Sequence, residues 1–526
     1  MKATANPAPA VGTSPARASA AAAVGATGWW LLALFAAIAA VLLINPVGYI
    51  GGGLDDWQYL NAARCWREFG PCLPHDHWQA RWPVIAPIAG FTALFGESRA
   101  TVGAMPLLES IACLLLLAAV GNRLFGRPVG WAAALMMLAT PVFAIQLLQP
   151  SVEAVELAWI LAGFLALLVW EDRRKHSLAF LTGLCFSMAI QVRETAAAGA
   201  LFALVYVLTR RDRPQLRDLL IAGGGFLLPF IVEFLLFWWS TGDPFWRRRL
   251  DLRHTLIPSS ELGLQADSHR SPLFNTSIIA SWKPAAGIHV HWAVDGLLNL
   301  LASGKAGLSL LLTPLLALVA RGAGDGSARK AAALWLLAIG YACVLIYVLA
   351  IDPKPRMMFV PFAMANLALA LICCRIFVRK PVLVIVSCTA AAAMCILLLY
   401  AYPSDLMIEQ PATAWIAEHP NAIETDTNTR RHLALVPGAA ALPDADGRRP
   451  YLLYRSGQSC DRWISRNRLP DAFTVLAQAP VTRVESVSGR VGALCLLRYE
   501  RRVSGAALRE ALRSSSDNRA GNSGAD

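Results

Sequence analysis

GGGLDDWQYL, Gly51 to Leu60, decides how the chain is read. Ahead of it, Trp29 to Ile50 is a mostly apolar run. It is long enough to cross a hydrocarbon core, which takes about 20 residues in a helix. Immediately after the run come adjacent carboxylates, Asp55 and Asp56, beside Trp57 and Tyr59. If the run is a span, both acids stand where the chain leaves the bilayer, among the aromatic residues that favour that boundary.

The composition supports a membrane reading. Of 526 residues, 56% are hydrophobic and 16% charged, whereas a soluble domain carries about a quarter charged residues. Length and apolarity predict about eleven spans. After the first they are 105–125, 131–148, 155–170, 178–191, 196–208, 219–239, 296–320, 331–351, 357–374 and 381–400. The Trp-rich stretch from Asp55 to Gly96 predicts helices lying in the interface. The Ala-, Pro- and Ser-rich residues 1–28 predict a disordered terminus. The long apolar run after them predicts a retained span, not a cleaved signal peptide.

The net charge of +12 does not point to nucleic acid, because the cations cluster in short connectors such as GNRLFGR, EDRRKHS, TRRDRPQLR and RIFVRK. That bias places these connectors and the N-terminus in the cytoplasm. Asp55, Glu153, Glu194, the polar loop 240–295 and DPKPR then share the outer side. From residue 402 to 502 the composition becomes that of a small α/β domain, with a helix at TAWIAEHP and strands at PYLLYRS and GALCLLRYE. Residues 503–526 read as a disordered tail. The expected architecture is an all-α polytopic membrane domain over 29–401 with this α/β domain outside. Most of the 11 cysteines fall in apolar runs. Cys65 with Cys72 and Cys460 with Cys495 are the pairs that an oxidising compartment would bridge.

From Asp55 onward the chain resembles the GT-C glycosyltransferases of the protein O-mannosyltransferase and aminoarabinose-transferase type. Its pattern is similar to that of the bacterial dolichyl-phosphate-mannose-protein mannosyltransferase-like family. The acidic pair is followed by WQYLNAAR, then RWPVIAP, ALFGES, NRLFGRPVGWAAAL, LATPVF, RETAAAGALFAL and PRMMFVPFAMANLALA. Order and spacing of the set carry the likeness, over roughly residues 40–370. The chain departs from the family in two places. It has RWPV where many members have KPPL, and QPSVEAVE where they have TPDA, which carries that acid over to Glu153 or Glu156.

The resemblance implies sugar transfer from a polyprenyl-phosphate donor to a lipid, polysaccharide or protein acceptor outside a bacterial inner membrane. Such a transfer needs a base within hydrogen-bond reach of the acceptor hydroxyl. It also needs a cation for the leaving phosphate. Asp55 is the candidate base, with Asp56 either functional or a helix cap. Arg356, Arg193 and Lys354 are candidate phosphate ligands, and Glu153 and Glu194 are supporting acids at span ends, where ionisable groups are costly. The cationic FWRRRLDLRH (Phe245 to His254) suits a lipid phosphate, a charged acceptor or anionic headgroups. No CxxC pattern appears, the His75–Asp76–His77 triplet fits an interfacial loop, and a divalent metal is left open as a cofactor. A transporter or flippase and a polysaccharide polymerase or ligase are the competing classes. Transport predicts a channel through the bilayer, and transfer a pocket open to one face.

Overall fold

The computed structural model describes residues 15–44, 54–209, 215–255, 288, 290–320, 326–349, 351, 353–377, 380–401, 406–467, 469, 471–481, 492–501, 503, 507–508 and 510–512. The Gly51–Gly53 triplet, residues 1–14 and the tail from 513 lie outside these. The chain is a multi-pass membrane protein. Among the described residues six helices are long and apolar enough to cross a membrane, and six shorter helices are also apolar. The first helix, α1, covers Pro15–Ile44, so it begins ahead of the expected Trp29. Between α1 and the second long helix lie α2 (Leu54–Phe69) and α3 (Trp82–Phe95). α2 is amphipathic, as expected of an interfacial helix. α3 is almost wholly apolar, which the reading of 55–96 as one interfacial region did not anticipate.

The body continues with α4 (Arg99–Phe125), α5 (Arg127–Leu138), α6 (Pro141–Ile145), α7 (Val152–Arg173), α8 (His176–Val192), α9 (Ala197–Thr209) and α10 (Leu216–Thr241). After α11 (Trp246–Thr255) come α12 (Trp292–Ala302), α13 (Ser309–Ala320), α14 (Ser327–Cys343), α15 (Phe359–Phe377) and α16 (Pro381–Ala401). α15 is the core helix, with nearly all of its side chains buried against α5, α13 and α14. α10 and α16 instead expose Leu227, Ile231, Trp239, Val382, Ile385 and Ile396, the apolar surface a lipid-facing helix presents.

Two expected spans are broken, each for a local reason. The run 131–148 stops at Thr140 because Pro141 disfavours a helical residue before it. Its freed polar groups are satisfied locally. The Thr140 hydroxyl donates to the Met136 carbonyl at 3.1 Å and accepts from the Asn366 side-chain amide at 3.2 Å. The run 296–320 is divided by a 3-10 turn at Gly304–Ala306 and by Gly307, whose φ of +73° is one that L side chains rarely adopt. Close packing also depends on glycine. A Cβ on Gly183 of α8 would collide with the Ala222 carbonyl of α10, and one on Gly225 of α10 with the Phe180 carbonyl of α8. Small residues that let backbones meet in this way are characteristic of membrane helix pairs.

The C-terminal region holds a four-stranded sheet in the order β1-β2-β4-β3, with β1 (Ile423–Thr425), β2 (Tyr451–Ser456), β3 (Phe473–Pro480) and β4 (Ala493–Tyr499). β1 runs parallel to β2, and the other pairings are antiparallel. β4 reads as a continuous apolar run because both its faces are covered. Cys495 and Leu497 pack with Trp463 and Phe473 on one face. Leu494 and Leu496 pack with Ile408 and Leu433 on the other. Disulfides join Cys65 to Cys72 and Cys460 to Cys495.

Candidate active site

α2 places both acids of the opening stretch in its first turn, where the positive end of the helix favours negative charge. Their environments then diverge. The Asp55 carboxylate faces the turn Pro355–Met358 and pairs with Arg356, Oδ2 to Nη2 3.2 Å. Both side chains keep partial access to solvent, 26% for Asp55 and 31% for Arg356. Asp56 is buried the other way. It accepts from the Gln149 side-chain amide at 3.4 Å and lines a narrow crevice with Trp57, Leu60, Arg99 and His432. The two neighbours are therefore not one dyad.

One helical turn on, Tyr59 is fully buried, and the Arg81 guanidinium donates to its hydroxyl at 2.6 Å. Burial pushes the Tyr59 phenol well above its ordinary value, more strongly than Arg81 pulls it back. It therefore stays a neutral hydroxyl that can accept from the guanidinium. Asp55 and Glu194 both lie within electrostatic range of Arg81, which brings a second cation to the site. Arg81 opens the RWPV stretch. The available signal was a lone cation directly ahead of an apolar helix.

Glu153 and Glu156 occupy the first turns of α7, three residues apart and both buried. Glu156 accepts from the Thr195 hydroxyl at 3.0 Å and lies 3.7 Å from Arg193. That pair is closed off, with both side chains 8% exposed. The other terminal nitrogen of Arg193 contacts the Met357 sulfur at 2.8 Å. Arg193 thus braces the turn that carries Arg356, and only Arg356 of the two remains accessible. Lys354 caps the start of that turn and is exposed.

Glu194 joins a separate cluster. Arg247, from the cationic stretch, reaches Glu194 at 2.9 Å and Glu233 of α10 at 3.3 Å, and donates to the Gln191 carbonyl at 3.0 Å. Trp246 beside it donates to the Pro74 carbonyl at 3.1 Å. The start of this stretch therefore ties α11 to the site region instead of lying loose on a surface. Side chains from 251 to 255 lie outside the described residues. The HDH triplet forms a turn. Asp76 accepts from the Gln79 amide at 2.8 Å, and Gln79 accepts from that of His75 at 3.0 Å. Among the described residues no three His, Cys, Asp or Glu side chains converge to hold a metal ion.

The α2 anchor is a second feature absent from the sequence reading. Glu97, in the ALFGES turn between α3 and α4, accepts from Arg64 Nε and Arg67 Nη1, each at 2.9 Å. Burial would raise its carboxyl, but the two guanidinium groups hold it below the usual carboxylate range. Arg64 also donates to the Ala434 carbonyl at 3.4 Å, and Arg99 pairs with Glu409. These contacts seat the C-terminal region beside α2.

Residues 83–239 match the family of dolichyl-phosphate-mannose-protein mannosyltransferases. The motifs ALFGES, NRLFGR, LATPVF and RETA all fall inside that segment, and the likeness to the protein mannosyltransferase type is shown there. Asp55 and Arg356 lie outside it. No curated protein matches the chain. Among solved structures the chain is similar to ArnT from Cupriavidus metallidurans bound to undecaprenyl phosphate. The identity is 14% over 90% of this chain and 98% of that one, with a TM-score of 0.40. It is also similar to the oligosaccharyltransferase AglB from Archaeoglobus fulgidus in complex with an inhibitory peptide and a dolichol-phosphate. There the identity is 11% over 83% of this chain and 70% of that one, with a TM-score of 0.44.

Proposed function

We propose that the chain is a membrane glycosyltransferase that moves a sugar from a polyprenyl-phosphate donor to an extracytoplasmic acceptor, with inversion. The observation that carries this reading is the half-exposed Asp55–Arg356 pair, beside Arg81 and the buried acids of α7. In the reaction the acceptor oxygen attacks the anomeric carbon as its proton passes to the Asp55 carboxylate. The bond from that carbon to the phosphate oxygen breaks, and the departing polyprenyl phosphate carries the charge that Arg356 stabilises. Before the donor arrives, Asp55 is occupied by Arg356. A phosphate offers the guanidinium two oxygens, and a partly exposed ion pair is worth only about 0–1 kcal/mol. Donor binding therefore releases the base at little cost. Arg193 acts through the turn it braces, with Glu156 as its counter-ion, and Arg81 and Lys354 add cations for the phosphate.

We place the N-terminus in the cytoplasm of a bacterial inner membrane and the 402–502 domain outside. The two disulfides support this, since both bridge segments assigned to the outer side, where disulfides persist. The division at residues 29–401 and 402–502 follows the change from apolar helices to the sheet. The test is transfer from polyprenyl-phosphate sugars in proteoliposomes. Asp55→Asn is expected to lower the rate about 10²–10⁴-fold, the range of a positioned base. Full activity in a normally inserted Asp55→Asn protein would remove the proposal.

A further inference from the structure

A cavity of about 570 Å³ lies among α7, α8, α9 and α10, and none of the candidate site residues lines it. Its wall follows α8 from Ala179 to Ile190, about 16 Å of helix at 1.5 Å per residue. One leaflet of the hydrocarbon core is about 15 Å deep. Leu201 and Leu204 of α9 and Leu227 of α10 line the cavity and are exposed, so it opens sideways to lipid. Thr182, a polar residue on that wall, donates its hydroxyl to the Leu178 carbonyl of its own helix at 2.8 Å. The remaining polar groups gather at one end. Trp170, near the end of α7, is buried there, and its indole Nε1–H has no hydrogen-bond partner, although a buried indole ordinarily finds one. The Arg174 guanidinium lies over its ring, 4.7 Å from the centroid. Arg173, Arg174 and Lys175 are exposed and, among the described residues, enter no ion pair. The carboxylates around this mouth are already engaged. Glu171 accepts from the Tyr206 hydroxyl at 3.1 Å, Asp172 pairs with Arg123, and Asp218 pairs with His176 at 2.9 Å. α8 starts at the same end, with no side-chain cap on its first amides.

We infer that this cavity binds one anionic phospholipid, with an acyl chain along α8, an ester carbonyl on the Trp170 Nε1–H and the phosphate at Arg174 and Lys175. The apolar length matches one leaflet, and the polar end lies where a headgroup would stand. The unpartnered indole supplies a donor at the depth of the ester, between chain and phosphate. Cations at a cavity between membrane helices select an anionic headgroup, and Arg174 offers its phosphate a charge-assisted hydrogen bond. The ring of Trp170 holds that guanidinium at the mouth. A polyprenyl chain would fill the apolar length but brings no ester carbonyl to Trp170. The site does not depend on the sugar-transfer reading, because its mouth at Arg173 is about 30 Å along α7 from Glu153.

The full-length protein would be reconstituted in vesicles of phosphatidylglycerol and phosphatidylcholine, extracted into detergent and weighed by native mass spectrometry. One phosphatidylglycerol per chain is expected to remain, with phosphatidylcholine retained about tenfold less, the worth of one charge-assisted hydrogen bond. Arg174→Gln/Lys175→Gln should lose that preference. Trp170→Phe keeps an aromatic wall and drops the donor, and should weaken retention of phosphatidylglycerol. Arg329→Gln/Lys330→Gln, which removes exposed cations at the start of α14, should keep the lipid. Added phosphatidylglycerol should raise the unfolding midpoint of the delipidated wild type and leave that of Arg174→Gln/Lys175→Gln where it was. Equal retention of both lipids by the wild type would overturn the inference, as would equal phosphatidylglycerol retention by the wild type and Arg174→Gln/Lys175→Gln. So would one-for-one displacement of phosphatidylglycerol by polyprenyl phosphate, which would assign the cavity to a polyprenyl tail.

Discussion

Asp55 and Arg356 are separated by about 300 residues of chain and meet at 3.2 Å. Under the proposed function, each restrains the other until a phosphate competes for the guanidinium. Asp55→Asn should therefore lower turnover while leaving polyprenyl-phosphate binding intact. Arg356→Ala should weaken that binding about 10–100-fold, the worth of a charge-assisted hydrogen bond, with Arg356→Lys intermediate. Titrating purified variants with polyprenyl phosphate separates the two effects. Equal losses of binding in both variants would deny the division of roles.

Arg193 and Glu156 form a buried pair, so removing one partner leaves a charge without compensation. Arg193→Ala is expected to cost about 3–5 kcal/mol and to lower the unfolding midpoint clearly. The double variant Arg193→Met/Glu156→Gln should recover much of that stability, though not the placement of Arg356. Activity measured on the stable double variant then reports the bracing role. Undiminished activity there would show that the turn holds itself.

Glu97 predicts acid sensitivity in the attachment of α2. Arg64 and Arg67 depress its carboxyl in the folded protein. Its stabilisation is thus complete above the ordinary glutamate value and is lost as pH falls through the depressed one. Glu97→Gln should lower the midpoint at neutral pH by several degrees and flatten the decline on acidification. Midpoints measured from pH 7 to pH 3 test this, and parallel curves for the two proteins would count against it.

The α8–α10 contact predicts intolerance of bulk at two glycines. Gly183→Leu or Gly225→Leu must push the helices apart, because the obstruction is backbone carbonyl and cannot swing away. Each should reduce the folded yield in detergent strongly, whereas Gly223→Leu, where a Cβ meets nothing within 4 Å, should be tolerated. Size-exclusion profiles of the three proteins decide the matter.

Apolar length was enough to find the helical body, since burial of main-chain polar groups leaves a membrane segment few alternatives to helix. It could not find the breaks at Thr140 and Gly307, where hydropathy stays high and only Pro141 and a glycine mark the interruption. Asp55 and Arg356 were visible as ionisable groups at span ends. Tyr59 was not, because a buried phenol is indistinguishable by composition from an interfacial aromatic. Arg247 was visible only as one of several neighbouring cations, and it is its three partners from α8, the 194 turn and α10 that single it out. In the C-terminal region β2 and β4 are apolar and legible. β1 spans only Ile423–Thr425, and in β3 the pairing shifts register between Val475 and Ala477 while FTVLAQAP does not alternate apolar with polar residues, so neither gave a clear period-two signal.

The two cystine bridges carry a consequence for biogenesis. Cys65, Cys72, Cys460 and Cys495 can join in three ways, and only one matches the native arrangement. Cys65 and Cys72 are seven residues apart and emerge early in synthesis, so their closure removes the wrong partners before the last strand is made. Cells without a thiol oxidase should therefore assemble a normal helical bundle whose C-terminal sheet matures slowly and is cut by proteases.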